Sequence, residues 1–287
     1  MSALRKQLEA DLAIRGMSER TREAYVGAVA ALAKYYARSP DRIGQEETQR
    51  YLLHLLTERK LSASTCNVAA SAFQFFYRVT LKRSAAEFAL PRPKQPQKLP
   101  QILAREEIAR LIGATENPKH RAMLMTAYGS GLRVSELCHL KLGDIDSARM
   151  TIRVEQGKGA KDRYTLLSAR LLGELRRYWL GYRPKHWLFA GERRGPEERP
   201  IAVISAQRIY HNAKARAGIT KDGGIHALRH AFATHLLEAG VDAHTIQRLM
   251  GHGHIGSTLR YFHLADRHLA ATPSPLELLE RTDLSRL

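Results

Sequence analysis

The sequence predicts a mainly α-helical protein of two domains, with one small β-hairpin in the second. Three observations carry that expectation. Apolar residues recur at three- and four-residue steps through most of the chain, which is the helical period. One segment, residues 149–167, switches to alternation around a Gly-Lys-Gly turn. Between residues 91 and 100 the run PRPKQPQKLP holds four prolines and three basic residues without an acid. Such a run cannot continue a helix and reads as an extended, semi-rigid linker. The organisation expected is a helical domain over 1–90, the linker over 91–100 and a mixed, mostly helical domain over 101–287.

In the first domain Leu4, Leu8 and Leu12 repeat at four-residue steps until Gly16. Tyr25, Val29, Leu32 and Tyr36 form a second stripe that stops before Pro40. Leu52, Leu55 and Leu56 mark a third helix, and a fourth runs from about Ser64 through Phe73, Phe76 and Tyr77. Four amphipathic helices with short joins make a small bundle. Arg20, Arg22, Arg78, Lys82 and Arg83 could meet phosphates, although a solvated surface is the ordinary place for any one of them.

The second domain opens with helical patterns around 106–111 and 121–128. In the stretch GSGLRVSELCHLKLGDID, Gly129 and Gly131 break the chain and Arg133 starts a new helix. The hairpin places Ile152 and Val154 on one side, Lys158 at or near its tip, and then Tyr164 and Leu166. Helices follow around 171–182 and 204–217. The stretch from His226 to His263 is the densest in chemistry. If 226–239 is a helix, Leu228, Phe232, Leu236 and Ala239 make its buried face, while His226 and Arg229 project together towards another side. After Gly240, Val241 and Ile246 can close a hydrophobic staple around a capping Asp242, and Gly251 suits the left-handed end of that second helix. His252 then leaves the helix end. Ser257 can cap a third helix carrying Tyr261 in its first turn.

Composition limits the partners. The chain has 46 Lys plus Arg against 28 Asp plus Glu, a formal charge of +18, which suits a polyanion such as nucleic acid. A basic linker between two basic domains suggests a C-shaped clamp around a DNA duplex. No apolar run is long enough to span a bilayer, and the start, MSALRKQLEADLAIRG, lacks the apolar centre of a signal peptide, so no membrane and a cytoplasmic location are expected. Cys66 and Cys138, the two cysteines, fall in helical patterns without metal-ligand spacing and read as reduced, structural thiols.

A phosphodiester fits the residues of the second domain. Phosphoryl transfer spreads negative charge over non-bridging oxygens, which two guanidinium forks match in shape, and Arg133 and Arg229 can supply them. A leaving alkoxide needs a proton, and Lys158 on its hairpin can bring one. Tyrosine becomes a competent nucleophile when cations stabilise its anion, which makes Tyr261 the candidate. The arginines provide the positive charge, so no metal and no cofactor is needed.

At these residues the sequence resembles a known family. The stretches Gly131-Leu-Arg-Val-Ser-Glu-Leu137, Gly157-Lys-Gly159, His226-Ala-Leu-Arg-His230 and Leu249-Met-Gly-His252, followed by Tyr261, are similar to the active-site boxes of the tyrosine recombinases, also called integrases. Each box alone is weak, but five in order are specific. The resemblance spans the whole chain and implies a SAM-like, core-DNA-binding N-terminal bundle and a catalytic domain from about residue 101. It implies that Arg133 and Arg229 bind the scissile phosphate, Lys158 protonates the departing 5′ oxygen, and His226 assists proton transfer. It further implies that His252 hydrogen-bonds the phosphate and that Tyr261 forms a 3′-phosphotyrosyl link, so that resealing needs no ATP. A homo-tetramer on two DNA sites, exchange through a four-way Holliday junction, and docking of residues 275–287 on a neighbouring protomer are implied too. Gly253-His254 and Arg260 depart from the usual pattern around the nucleophile. Lys161 lies three residues past Lys158, and the family pattern selects Lys158.

Three other readings stand beside this one. Seven of the thirteen histidines fall between His226 and His263, which raises a metal hydrolase, although the Glu that a zinc helix places between two such histidines is missing. A DNA-binding protein without catalysis would leave Tyr261 in a packing role. A type IB topoisomerase uses nearly the same chemistry for strand passage. Among the plain readings, His235 is a hydrogen-bonded core histidine, and Glu136 and Asp144 orient Arg133 or a helix end. The DNA site, the outcome (integration, excision, dimer resolution or mobility of a genetic element) and any accessory protein lie beyond periodicity and motif.

Overall fold

The computed structural model describes residues 2–84, 90–93, 101–155, 162–191 and 198–251. It divides into two compact units, Met1–Lys98 and Leu99–Leu287.

The first unit is helical because its helix starts are written locally. Helix α1 (Ala3–Ile14) is capped by Ser2, α2 (Glu19–Tyr36) by Ser18 and α4 (Ala63–Phe75) by Ser62, each hydroxyl accepting the backbone N–H three residues on. Each such cap satisfies one orphan donor. At α3 (Gln45–Thr57) the Glu47 carboxylate instead reaches back to the N–H of Gly44 at 3.0 Å. A π-helical turn, Phe76–Thr80, continues α4 and brings Phe76, Tyr77 and Thr80 into the same core. Leu8, Leu12, Leu32, Leu52 and Phe73 fill the rest of it. The Tyr77 hydroxyl donates to Pro40 O at 2.8 Å, and burial pushes that phenol up to about 12.

Two details differ from the stripes read in the sequence. Val26 joins Val29 and Leu32 inside, whereas Tyr25 and Tyr36 sit at the rim. A phenol at the rim keeps its hydroxyl bonded, as Tyr36 does to Glu47 O at 2.7 Å. On α3, Tyr51 occupies the core and Leu56 is 38% exposed.

The second unit is a helical assembly that carries one small sheet. Helices α5 (Arg105–Gly113), α6 (Pro118–Gly129) and α7 (Val134–Cys138) precede strands β1 (Ile145–Asp146), β2 (Thr151–Val154) and β3 (Arg163–Leu166). Helices α8 (Ala169–Tyr182), α9 (Val203–Arg216), α10 (His226–Glu238) and α11 (Ala243–Met250) follow. The sheet is antiparallel in the order β1-β2-β3. Its register pairs Ile152 with Thr165 and Val154 with Arg163, which corrects the expected hairpin. Tyr164 and Leu166 lie on the outer face, 57% and 41% exposed, and Thr165 is the buried residue of β3. Alternation fixes which residues share a face but not which face is covered.

Helix α10 also differs from its expected amphipathic stripe. Ala227, Leu228, Arg229, Ala231, Phe232, Ala233, Thr234, His235 and Leu237 are all buried, while Leu236 is half-buried and Ala239 is exposed. The helix is enclosed on several sides, with α6 and α11 both packed against it. Between α10 and α11, Phe232, Leu237, Ile246 and Met250 make a separate apolar cluster joined by Val241, as the staple anticipates. Among the described residues no helix is long and apolar enough to cross a membrane.

Candidate active site

The site begins where α6 stops. Ser130 Oγ donates to Leu166 O at 2.8 Å and Thr165 Oγ1 donates to Ser130 O at 2.8 Å, so the turn after α6 is tied to β3. Gly131 follows with φ +60°, and a Cβ there would stand 2.3 Å from the Phe232 ring. Only glycine lets the backbone pass at that distance in that conformation. Two residues on, Arg133 stands at the start of α7. The Glu136 carboxylate accepts its backbone N–H at 2.8 Å and its Nη1 at 2.7 Å.

Helix α11 ends against this turn. Asp242 caps its start by accepting from Thr245 N at 2.9 Å, and Gly251 closes it in the left-handed region with φ +63°. The last carbonyls of a helix lack intrahelical donors and carry the negative end of its dipole. Here three consecutive ones meet three different guanidiniums. Arg163 Nε donates to Leu249 O at 3.0 Å, Arg229 Nη2 to Met250 O at 2.6 Å and Arg133 Nη2 to Gly251 O at 3.0 Å. Arg229, buried at 5% exposure, also donates through Nη1 to Gly131 O. The two arginines singled out in the sequence, 96 positions apart, are therefore brought to neighbouring carbonyls of one helix end.

Arg163 is the residue that motif reading missed. Its Nη1 and Nη2 form a two-pronged pair with Glu136 at 2.9 and 2.7 Å. Burial by itself raises the Glu136 carboxyl. The hydrogen bonds and charge of Arg163, together with the bonds from Arg133, outweigh burial and hold it at about 2. Glu136 is thus an anion shared between two cations, which fits its expected orienting role. No local pattern in the sequence marks it, because its partners Glu136 and Leu249 lie 27 and 86 positions away.

His226 opens α10 on the same side. The segment before it is held by Lys221, whose Nζ donates to Ile102 O at 2.8 Å and to Glu107 at 2.6 Å. His226 is exposed, yet partial desolvation lowers its pKa from the ordinary value, and the positive charges of Arg229 and Arg133 lower it further against a smaller opposing pull from Glu136.

The structure thus places Arg133, His226 and Arg229 together. Lys158, His252 and Tyr261, with Lys161, His254, Arg260, His263 and residues 275–287, lie outside the described residues. His235 is the core histidine expected, its Nδ1 2.9 Å from the Tyr128 hydroxyl. Asp144 accepts from Lys141 N at 2.9 Å and from Arg153 at 3.3 Å. Cys66 and Cys138 are free and buried, and burial pushes both thiols up. Among the described residues no group of three or more His, Cys, Asp or Glu could hold a metal ion.

The chain is similar to known proteins along nearly its whole length. Residues 101–268 match the family model described as the phage integrase family, and residues 4–87 match its N-terminal SAM-like domain. A protein of Sinorhizobium fredii, y4qK, provisionally named an integrase/recombinase, is 44% identical over 283 residues, covering 98% of this chain and 91% of its own. Tyrosine recombinase XerA of Pyrococcus horikoshii is 33% identical over 243 residues, covering 83% of each chain. A crystal structure of a lambda integrase tetramer bound to a Holliday junction superposes with a TM-score of 0.73 at 21% identity, over 90% of this chain and 76% of the other. At that identity the superposition speaks for the fold. The chain belongs to the phage integrase family, that of the tyrosine recombinases.

Proposed function

We propose that this protein is a site-specific DNA recombinase that breaks and rejoins duplex DNA through a 3′-phosphotyrosyl intermediate, without metal, cofactor or ATP. One observation supports this above the others: Arg133 and Arg229 converge on the same helix end with His226 beside them. Two forked cations and an imidazole suit a phosphodiester whose charge grows on its non-bridging oxygens. In this reading Arg133 and Arg229 bind the scissile phosphate and His226 accepts a proton from the attacking phenol. Tyr261, ten positions beyond Gly251, is that nucleophile. Lys158 protonates the leaving 5′ oxygen and His252 hydrogen-bonds the phosphate.

The remaining parts follow from the family. Residues 1–90 form the core-binding domain, 91–100 the linker and 101–287 the catalytic domain, its residues 275–287 docking on a neighbouring protomer. The chain works as a homo-tetramer on two DNA sites in the cytoplasm and exchanges strands through a Holliday junction. The net charge of +18 supplies the attraction to the duplex.

The test is covalent trapping. Incubated with nicked genomic fragments and resolved in denaturing gels, the wild-type protein is expected to carry DNA, and Tyr261→Phe to bind DNA without forming the adduct. Sequencing the trapped DNA identifies the site. An adduct that survives in Tyr261→Phe refutes the assignment of the nucleophile. Binding without any adduct in the wild type favours the non-catalytic alternative, and relaxation of plasmids lacking the recovered site favours the topoisomerase.

A further inference from the structure

We infer that Arg163, on β3, is a positioning residue for the cleavage step: it holds Arg133 ready for the phosphate and fixes the end of α11 from which the chain runs on to His252. The inference rests on the recombinase reading above. It adds a residue to which that reading gives no role.

The first argument is geometric. Arg163 contacts both sides of the site at once, with Nη1 and Nη2 on Glu136 at 2.9 and 2.7 Å and Nε on Leu249 O at 3.0 Å. Glu136 in turn grips the Arg133 side chain, and Gly251 O accepts from the same Arg133. The links therefore close a ring that runs Arg163, Glu136, Arg133, α11 and back to Arg163. A planar guanidinium can serve three acceptors in one plane, whereas a lysine ammonium offers no such fork.

The second argument concerns charge. Glu136 is buried beside Arg133, with a side chain 7% exposed. Paired with Arg133 alone, its negative charge would cancel much of the potential that Arg133 presents to a phosphate. Arg163 supplies a second cation, so Arg133, Glu136 and Arg163 together keep one net positive charge.

The third argument is the space kept for this side chain. A Cβ on Gly251 would stand 2.7 Å from Cδ and 2.9 Å from Nε of Arg163. The glycine that ends α11 thus meets two demands, the left-handed turn and the passage of Arg163 beneath it. The stem of Arg163 is itself buried, its side chain 10% exposed, as befits a strut rather than a surface contact.

The experiment uses the full chain and a nicked duplex carrying the site recovered by covalent trapping. The duplex is made with either an ordinary phosphodiester or a neutral methylphosphonate at the scissile position. Single-turnover formation of the covalent complex is measured at saturating DNA for wild type, Arg163→Lys, Arg163→Ala and Arg133→Ala. On the phosphodiester both Arg163 variants are expected to be slower by about 10- to 100-fold, the usual scale for losing a residue that orients a catalytic group. Most of that deficit should vanish on the methylphosphonate, in parallel with Arg133→Ala, because the neutral linkage no longer needs the charge that Arg163 keeps in place. A merely structural lesion would slow both linkages equally. Equal deficits on the two linkages, or no deficit on the phosphodiester, overturn the inference. An undiminished Arg133→Ala overturns the assignment of Arg133 as well, and the positioning role falls with it. Arg163→Lys keeps the charge, which leaves a folded protein to test should Arg163→Ala not fold.

Discussion

Replacing Glu136 by Gln tests the electrostatic frame of the site most directly. The carboxyl lies between Arg133 and Arg163, and its pKa is held at about 2 against an ordinary value of 4.5. Because the folded value lies below the unfolded one, ionised Glu136 stabilises the fold at pH above 4.5, and this contribution is lost as pH falls from 4.5 towards 2. A depression of that size corresponds to about 3 kcal/mol at neutral pH. Glutamine keeps the shape and cannot balance the two guanidiniums, so Glu136→Gln is expected to destabilise the second unit by about 3 kcal/mol at pH 7. The gap between wild type and variant should shrink to about half by pH 3 and close only as pH approaches 2, where the carboxyl becomes protonated in the folded state and resembles the amide. Urea unfolding followed by tryptophan fluorescence reads the correct unit, because Trp179 and Trp187, the two tryptophans of the chain, both lie in it. A gap that stays constant between pH 7 and pH 3 would refute the reasoning.

Three further outcomes follow from the same geometry. Gly131→Ala should cost about 2–5 kcal/mol, combining a left-handed backbone with a Cβ driven into the Phe232 ring; a loss below about 1 kcal/mol in the same urea assay would contradict this close approach. His226 should titrate below 6.5 by NMR and move upward in Arg229→Ala, which removes one of the two cations that depress it, whereas an unmoved titration would place Arg229 too far away. Removing either Arg133 or Arg229 should slow covalent-complex formation by about 100-fold or more, the scale for one preorganised donor. Full cleavage in either variant would contradict its phosphate-binding role.

Much of the fold was legible because its signals act over a few residues. Ser2, Ser18, Ser62 and Asp242 mark helix starts through bonds to the third residue on. Gly251 marks a helix end through its own φ. Arg133, His226 and Arg229 were legible as chemistry, because guanidiniums and imidazole suit a phosphodiester whatever the fold. The tertiary structure decided which faces are covered. Tyr164 and Leu166 read as strand residues from their alternation, but a period of two is symmetric, and only packing against the helices chose Thr165 for the interior. Tyr25 gave way to Val26 and Ala239 lay exposed for the same reason, since a helical stripe does not say how many neighbours will enclose it. Arg163 was the least legible, because its partners are remote: Glu136 lies 27 residues away and Leu249 lies 86. Local sequence sets the helices and their caps through short-range bonds. The meeting of three arginines on the end of α11 depends on bonds that close only when distant segments have already packed.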